Sequence, residues 1–202
     1  VILLADGVLG QAMEPVNPVY RTPIRTDGGW ELTGAANREP RVVRSLHLRA
    51  EDLEAHNRRL GAKFVAIDER EIRWAGEELD DADIILVAYG TSARVARTAI
   101  ERARAEGLRV GLFRPISLWP FPSAALASAA RGRQALVVVE MSAGQMIEDV
   151  RLAVEGRLPV FFHGRTGGMV PTPGGVVDVV RLAWAMTEPI ARTGAEDGAP
   201  PG

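Results

Sequence analysis

The stretch DIILVAYGTSARVARTAIERARAEG, residues 83–107, sets the fold class. DIILVAYG (83–90) reads as a strand, its near-continuous apolar run the mark of a strand buried on both faces. Gly90 breaks the run. Val95, Ala96, Ala99, Ile100 and Ala103 then fall on one helical face, and Gly107 supplies a stop. Strand followed by helix is half of a parallel crossover unit, and the pattern recurs downstream. LRVGLFRP (108–115), QALVVVEM (134–141) and LPVFFHG (158–164) read as strands; PSAALASAARG (122–132), GQMIEDVRLAVEG (144–156) and GGVVDVVRLAWAM (174–186) read as helices. About four strand–helix units in a row predict an α/β domain over 83–186: three layers, with a mostly parallel sheet covered on both faces.

Upstream the pattern changes. Residues 50–78 are helical in character, with Leu53, Leu60, Phe64 and Ile67 at helical spacing, and read as a solvated helix. Residues 16–48 are rich in Pro, Gly, Thr and Arg without a period, so 16–82 is expected to be a connector plus a linking helix. Val1–Ala5 reads as a buried strand, and Asp6 suits the cap of a short helix through Met13. A chain that opens on a core strand is expected to be the continuation of a domain lying upstream. Its lone strand would expose apolar side chains and unpaired backbone. The last residues, 187–202, are polar and Pro/Gly-rich and read as a disordered tail.

Composition excludes several function classes. A net charge of −2 gives no basic field for nucleic acid. No apolar run approaches the roughly 20 residues of a membrane helix, and no basic segment precedes the opening run, so a cytoplasmic location is expected. Cysteine is absent from these 202 residues, which excludes disulfides, thiolate zinc sites and cysteine-held iron–sulfur clusters within them. His47, His56 and His163 have no metal-ligand spacing. His163 reads as a structural histidine at a strand end.

Four loops at strand ends carry the candidate residues. In YGTSARVA (89–96) a helix N-terminus could bind an anion, but Thr91 or Ser92 capping its own helix satisfies the same donors, and no Gly-x-Gly-x-x-Gly or Walker lysine is present. In RPISLWPFP (114–122), Trp119 and Phe121 suit either core packing or a subunit interface. In VVEMSAGQMIEDV (138–150), Glu140 could act as a general base or serve structurally, and Gln145 suits a turn or an interface. In FFHGRTGGMVPTP (161–173), Arg165, Thr166, Gly167 and Gly168 form the best ligand candidate. Arginine forks onto phosphate or carboxylate, and glycine lets backbone N–H groups approach closely. The same loop could simply require positive φ and dock on a partner. No nucleophile elbow, paired-acid motif or metal constellation is present, so no residue is assigned as catalytic.

The ordered segments LLADGVLGQAMEPV, RSLHLRAEDLEAHNRRL, VAYGTSARVA, GLFRPISLWPFP, VEMSAGQMIEDVRLAV and GRTGGMVPTP resemble the alpha subunit of the 2-ketoisovalerate ferredoxin oxidoreductases. These are the branched-chain members of the 2-oxoacid:ferredoxin oxidoreductase family, and the resemblance covers about residues 1–186. It implies that 1–15 end a thiamine-diphosphate-type pyrimidine-binding domain and that 83–186 form a transketolase-C-terminal-like domain. The implied reaction is oxidative decarboxylation of a branched 2-oxoacid to acyl-CoA, with electrons passing to ferredoxin. It further implies partner subunits: a diphosphate-binding beta, a gamma and a ferredoxin-like delta. Thiamine diphosphate, Mg and the iron–sulfur clusters would then lie on other domains or subunits. No cofactor is expected on these residues alone, and this stretch would be inactive by itself, with a structural or assembly role. The alternative is a free-standing α/β interaction or small-ligand-binding domain without turnover. Gly174 and Gly175 depart from the acidic residues common after PTP in relatives.

Overall fold

The computed structural model describes residues 1–20, 34, 36–37, 39–40 and 42–187. Much of the connector and the tail from 188 onward therefore lie outside the described residues. The chain divides into two compact units, one comprising Val1–Gln11 with everything from Ile67 onward, the other Ala12–Ala66.

The elements are α1 (Gly7–Gln11), α2 (Ala50–Glu71), β1 (Trp74–Glu77), β2 (Ile84–Ala88), α3 (Gly90–Ala105), β3 (Val110–Pro115), α4 (Ser123–Ala129), β4 (Ala135–Glu140), α5 (Met146–Val154), β5 (Val160–Gly164) and α6 (Pro173–Thr187). The sheet has the order β1-β3-β2-β4-β5, with β2 to β5 parallel and β1 antiparallel to β3. The expected strand–helix units are all present. Every residue of β2 and β4 is buried, as their continuous apolar sequences require.

Strand residues alternate between two cores. Ile84, Leu86, Val110, Leu112, Val137 and Val139 face α3 and α6. Ile85, Val87, Phe113, Leu136 and Val138 face α4 and α5. Burying each such large side chain contributes roughly 1.5–3 kcal/mol. Helix α3 brings Ala96, Ala99, Ile100 and Ala103 to the first core, the face its periodicity predicts.

Three expectations fail. The helix read over 50–78 ends at Glu71, and Trp74–Glu77 form an edge strand instead. The domain therefore begins inside the expected connector. Four residues are too few for alternation to stand out, and tertiary contacts hold β1: Trp74 stacks on Phe113 at 4.8 Å between ring centroids. Glu77 accepts two hydrogen bonds from Arg97 of α3, at 2.7 and 2.6 Å. The Arg97 guanidinium holds the Glu77 carboxyl below its ordinary range against opposing burial. Second, Val1–Ala5 form no strand, and Leu3 and Leu4 are exposed. A strand needs a hydrogen-bonding neighbour, and among the described residues none pairs with this segment. Asp6 does cap a helix, accepting from the Leu9 amide at 2.7 Å, but α1 stops at Gln11. Third, α6 runs to Thr187, one residue into the expected tail.

Within its own bounds α2 is 22 residues long and buries none of them, and Arg58 pairs with Glu54 one turn away at 2.8 Å. No described helix is long and apolar enough to cross a membrane.

Candidate functional site

The carboxyl ends of β2, β3, β4 and β5 lie along one edge of the sheet, and each feeds a loop into a helix. From β2 the chain moves to β3 on one side; from β4 it moves to β5 on the other. The β2/β4 boundary is therefore the topological switch point, where open α/β sheets form their crevice. Tyr89, Gly90 and Thr91 follow β2 there, and Glu140 and Ser142 stand at the end of β4.

Glu140 is 1% exposed, and its role is structural. Oε2 accepts from the Ser142 hydroxyl at 2.9 Å and from the Gln145 and Met146 amides at 3.1 Å each. Oε1 accepts from the Ile147 amide at 3.0 Å. The carboxylate thus satisfies three of the orphan N–H groups that every helix start presents, and it sits where the α5 dipole favours a negative charge. At 1% exposure, with four donors already on its oxygens, the carboxylate is held as the cap of α5, which favours the structural reading over the general base. Gln145 occupies the N-cap position of α5, contributing its backbone N–H while its side chain is exposed. Gly144 takes φ 109°, a region that L-residues avoid, to turn the chain back over Glu140.

The start of α3 differs from expectation. Neither Thr91 nor Ser92 caps it. Both lie inside the first turn and are buried, while extended Tyr89 occupies the N-cap with no side-chain hydrogen bond. Thr91 Oγ1 is buried without a partner at hydrogen-bond length. Burial pushes the Tyr89 hydroxyl pKa up, and the Glu140 and Asp6 carboxylates push it the same way. Asp149 is raised by burial first, then by Glu140 and Glu148.

The other candidates separate. Phe121 packs on the α4/α5 core, with Pro120 and Pro122 buried on either side of it. Trp119 is 63% exposed and Ile116 54% exposed, so the same loop offers apolar surface outward. Arg165, Thr166, Gly167 and Gly168 are all exposed. The loop is tied down by its backbone: the Arg165 amide donates to the Glu140 carbonyl at 3.1 Å, and the Met169 amide to the Thr166 carbonyl at 3.2 Å. Gly167 and Gly168 adopt φ 64° and 82° with open space where a Cβ would stand. Glycine there serves the turn, and no close backbone approach demands it. His163 is half-buried over the start of α6. Its ring lies 3.1 Å from where a Cβ on Gly175 would be, so a side chain there would have to push the ring back by a few tenths of an ångström. Burial, then Arg165, lowers the His163 pKa, while Asp178 opposes the shift.

Among the described residues, no group of three or more His, Cys, Asp or Glu side chains could hold a metal ion.

Five strands between two helical layers, with loops converging at a switch point, define a three-layer α/β domain of the kind that binds partners or ligands at its carboxyl edge. Residues 82–176 match the family described as pyruvate:ferredoxin oxidoreductase core domain II. The ketoisovalerate oxidoreductase subunit VorB of Methanothermobacter marburgensis is 43% identical over 169 residues, covering 83% of this chain and 48% of that protein. VorB of Methanothermobacter thermautotrophicus is 42% identical over 182 residues, covering 90% and 51%. The 2-oxoglutarate synthase subunit KorA of Methanothermobacter marburgensis is 36% identical over 101 residues, 50% of this chain and 27% of that protein. Among solved structures, 2-oxoglutarate:ferredoxin oxidoreductase from Magnetococcus marinus superimposes with a TM-score of 0.60 at 24% identity, over 68% of this chain and 24% of that one. That likeness supports the fold. The chain belongs to the 2-oxoacid:ferredoxin oxidoreductase family. It spans about half the length of the VorB relatives it matches.

Proposed function

We propose that the chain is part of the alpha subunit of an enzyme that oxidatively decarboxylates branched-chain 2-oxoacids to acyl-CoA and passes the electrons to ferredoxin. One observation carries this reading. Identity to the two ketoisovalerate subunits runs over 169 and 182 residues, well outside the core domain, whereas identity to the 2-oxoglutarate subunit covers 101. Matching over 83–90% of the chain, against 50% for the 2-oxoglutarate subunit, favours the branched-chain branch.

Within that enzyme, residues 74–187 serve assembly. Beta, gamma and ferredoxin-like delta subunits would carry thiamine diphosphate, Mg and the iron–sulfur clusters, since these 202 residues contain no cysteine to hold a cluster. Exposed Trp119 is the anchor proposed for a subunit contact, because aromatics dominate such interfaces. The test is viologen reduction by the assembled enzyme with coenzyme A present. Turnover is expected to be faster with 3-methyl-2-oxobutanoate than with 2-oxoglutarate or pyruvate. A faster rate with 2-oxoglutarate would overturn the specificity, and no turnover with any of the three would overturn the assignment.

Arg165, Thr166, Gly167 and Gly168 are proposed to line the coenzyme A entrance, where the guanidinium meets a phosphate. Arg165→Ala in the assembled enzyme is expected to weaken coenzyme A binding about tenfold, the loss of one charge-assisted contact. Unchanged affinity by calorimetry would remove the loop from the site.

A further inference from the structure

We propose that Arg114 is the centre of an oxyanion site at the carboxyl end of β3, taking the carboxylate or phosphate group of a small ligand. The site stands independently of the activity proposed above. It is also separate from the 165–168 loop, because β3 and β5 lie three strand spacings apart in the sheet, about 14 Å.

Register fixes where the side chain stands. Arg114 pairs with Ala75 of β1, and Leu112, two residues back, pairs with Glu77. Leu112 packs in the core under α3 and α6, so Arg114 and Glu77 project from that same face of the sheet. The residues beside Arg114 are small. Ala75 stands opposite it on β1, and Ala88 follows the Val87–Phe113 pair on β2. Gly90 then opens α3 at φ 53°, with open space where a Cβ would stand. None of the three offers a side chain that could accept a hydrogen bond from the guanidinium.

The cation has no partner within the fold. Arg114 is half-buried, its Nε is fully buried without a hydrogen bond, and among the described residues its side chain forms no ion pair. Other part-buried arginines of the domain are satisfied. Arg104 Nε donates to the Val110 carbonyl at 2.8 Å, and Arg133 Nη1 donates to the Ala82 carbonyl at 2.6 Å. The carboxylate that shares Arg114's face is committed elsewhere: Glu77 accepts from Arg97 through both oxygens, at 2.7 and 2.6 Å. Arg114 adds to the pull on Glu77, but behind Arg97. Two arginines thus share one carboxylate, and one positive charge is left over on a half-buried face.

A buried donor without an acceptor is costly, and a buried charge without a partner more so. A guanidinium forks onto a carboxylate or phosphate through two parallel hydrogen bonds, which meets both needs at once. The position suits a ligand as well, since open α/β sheets take theirs at the carboxyl ends of the strands. The RPISLWPFP loop therefore carries two separate features: aromatic side chains, and at its first residue a cation that lacks an anion.

Thermal unfolding of the 202-residue chain in inorganic phosphate and in acetate tests this, with ionic strength held constant by chloride. An anion that binds the folded state stabilises it by mass action. At about ten times its dissociation constant, the bound anion is expected to raise Tm by about 5 °C. A rise with phosphate only marks a phosphoryl ligand, and a rise with acetate only marks a carboxylate. Arg114→Met removes the charge and is expected to abolish the rise. Arg114→Lys keeps the charge without the fork and is expected to weaken binding about tenfold. No rise with either anion would overturn the proposal, as would an equal rise in Arg114→Met. Should Arg114→Met fail to fold, the Nε–H resonances of the unsubstituted chain decide. A saturable shift at Arg114 that is absent at Arg109, an arginine already paired with Asp83, supports the site. No shift at Arg114, or an equal shift at both, overturns it.

Discussion

Glu140→Ala is expected to lower the unfolding free energy by about 3 kcal/mol, read from urea melts of the domain. The side chain is 1% exposed and accepts four hydrogen bonds, three of them from the first turn of α5. Removing it strands those amides in a buried crevice, where each unsatisfied donor is penalised and little water reaches it. Glu140→Gln is a sharper probe. It keeps the shape and one acceptor but turns an NH2 toward donors, so its loss should fall between the wild type and alanine. A change under about 1 kcal/mol for Glu140→Ala would mean that α5 recruits another cap, and the carboxylate would then need a different explanation.

Phe113→Ala is expected to cost about 3–5 kcal/mol, the range for deleting a buried aromatic. Phe113 is fully buried in β3 against the α4/α5 core, and its ring stacks on Trp74 with an interplanar angle of 11°. The substitution leaves a cavity in the core and removes the aromatic partner of the edge strand β1. Intrinsic fluorescence supplies a second reading, since Trp74, already 42% exposed, should shift to the red as it gains water. By contrast, Ile116→Ala, a few residues along the same chain but 54% exposed, should change stability by less than about 1 kcal/mol. Equal effects at the two positions would contradict the burial described here.

The two substitutions probe two kinds of information. Phe113 sits where an apolar run announces a buried strand, and its importance was legible from LRVGLFRP alone. Glu140 was visible as a lone carboxylate at a strand end, and the sequence left its role open between base and structural element. What decides is the turn at Gly144, which carries the start of α5 back over the carboxylate. Local sequence contains the turn residue but not the direction in which the amides point. Thr91 misled for the same reason. A Thr after a Gly reads as a cap, yet the helix begins one residue earlier, at Gly90, and the hydroxyl turns inward.

The sequence by itself determined the strand–helix alternation, the double-sided burial of β2 and β4, and the family, because apolar period and motif order are local and survive without coordinates. It also placed Arg165, Thr166, Gly167 and Gly168 in one loop and Phe121 and Trp119 in another. Only the tertiary structure decided which of Phe121 and Trp119 faces inward. It alone showed that Trp74–Glu77 complete the sheet and that Glu140 belongs to α5. Each of these depends on groups distant in sequence meeting in space. A carboxylate's role is fixed by the donors that surround it, and nothing in the neighbouring letters records which donors those are.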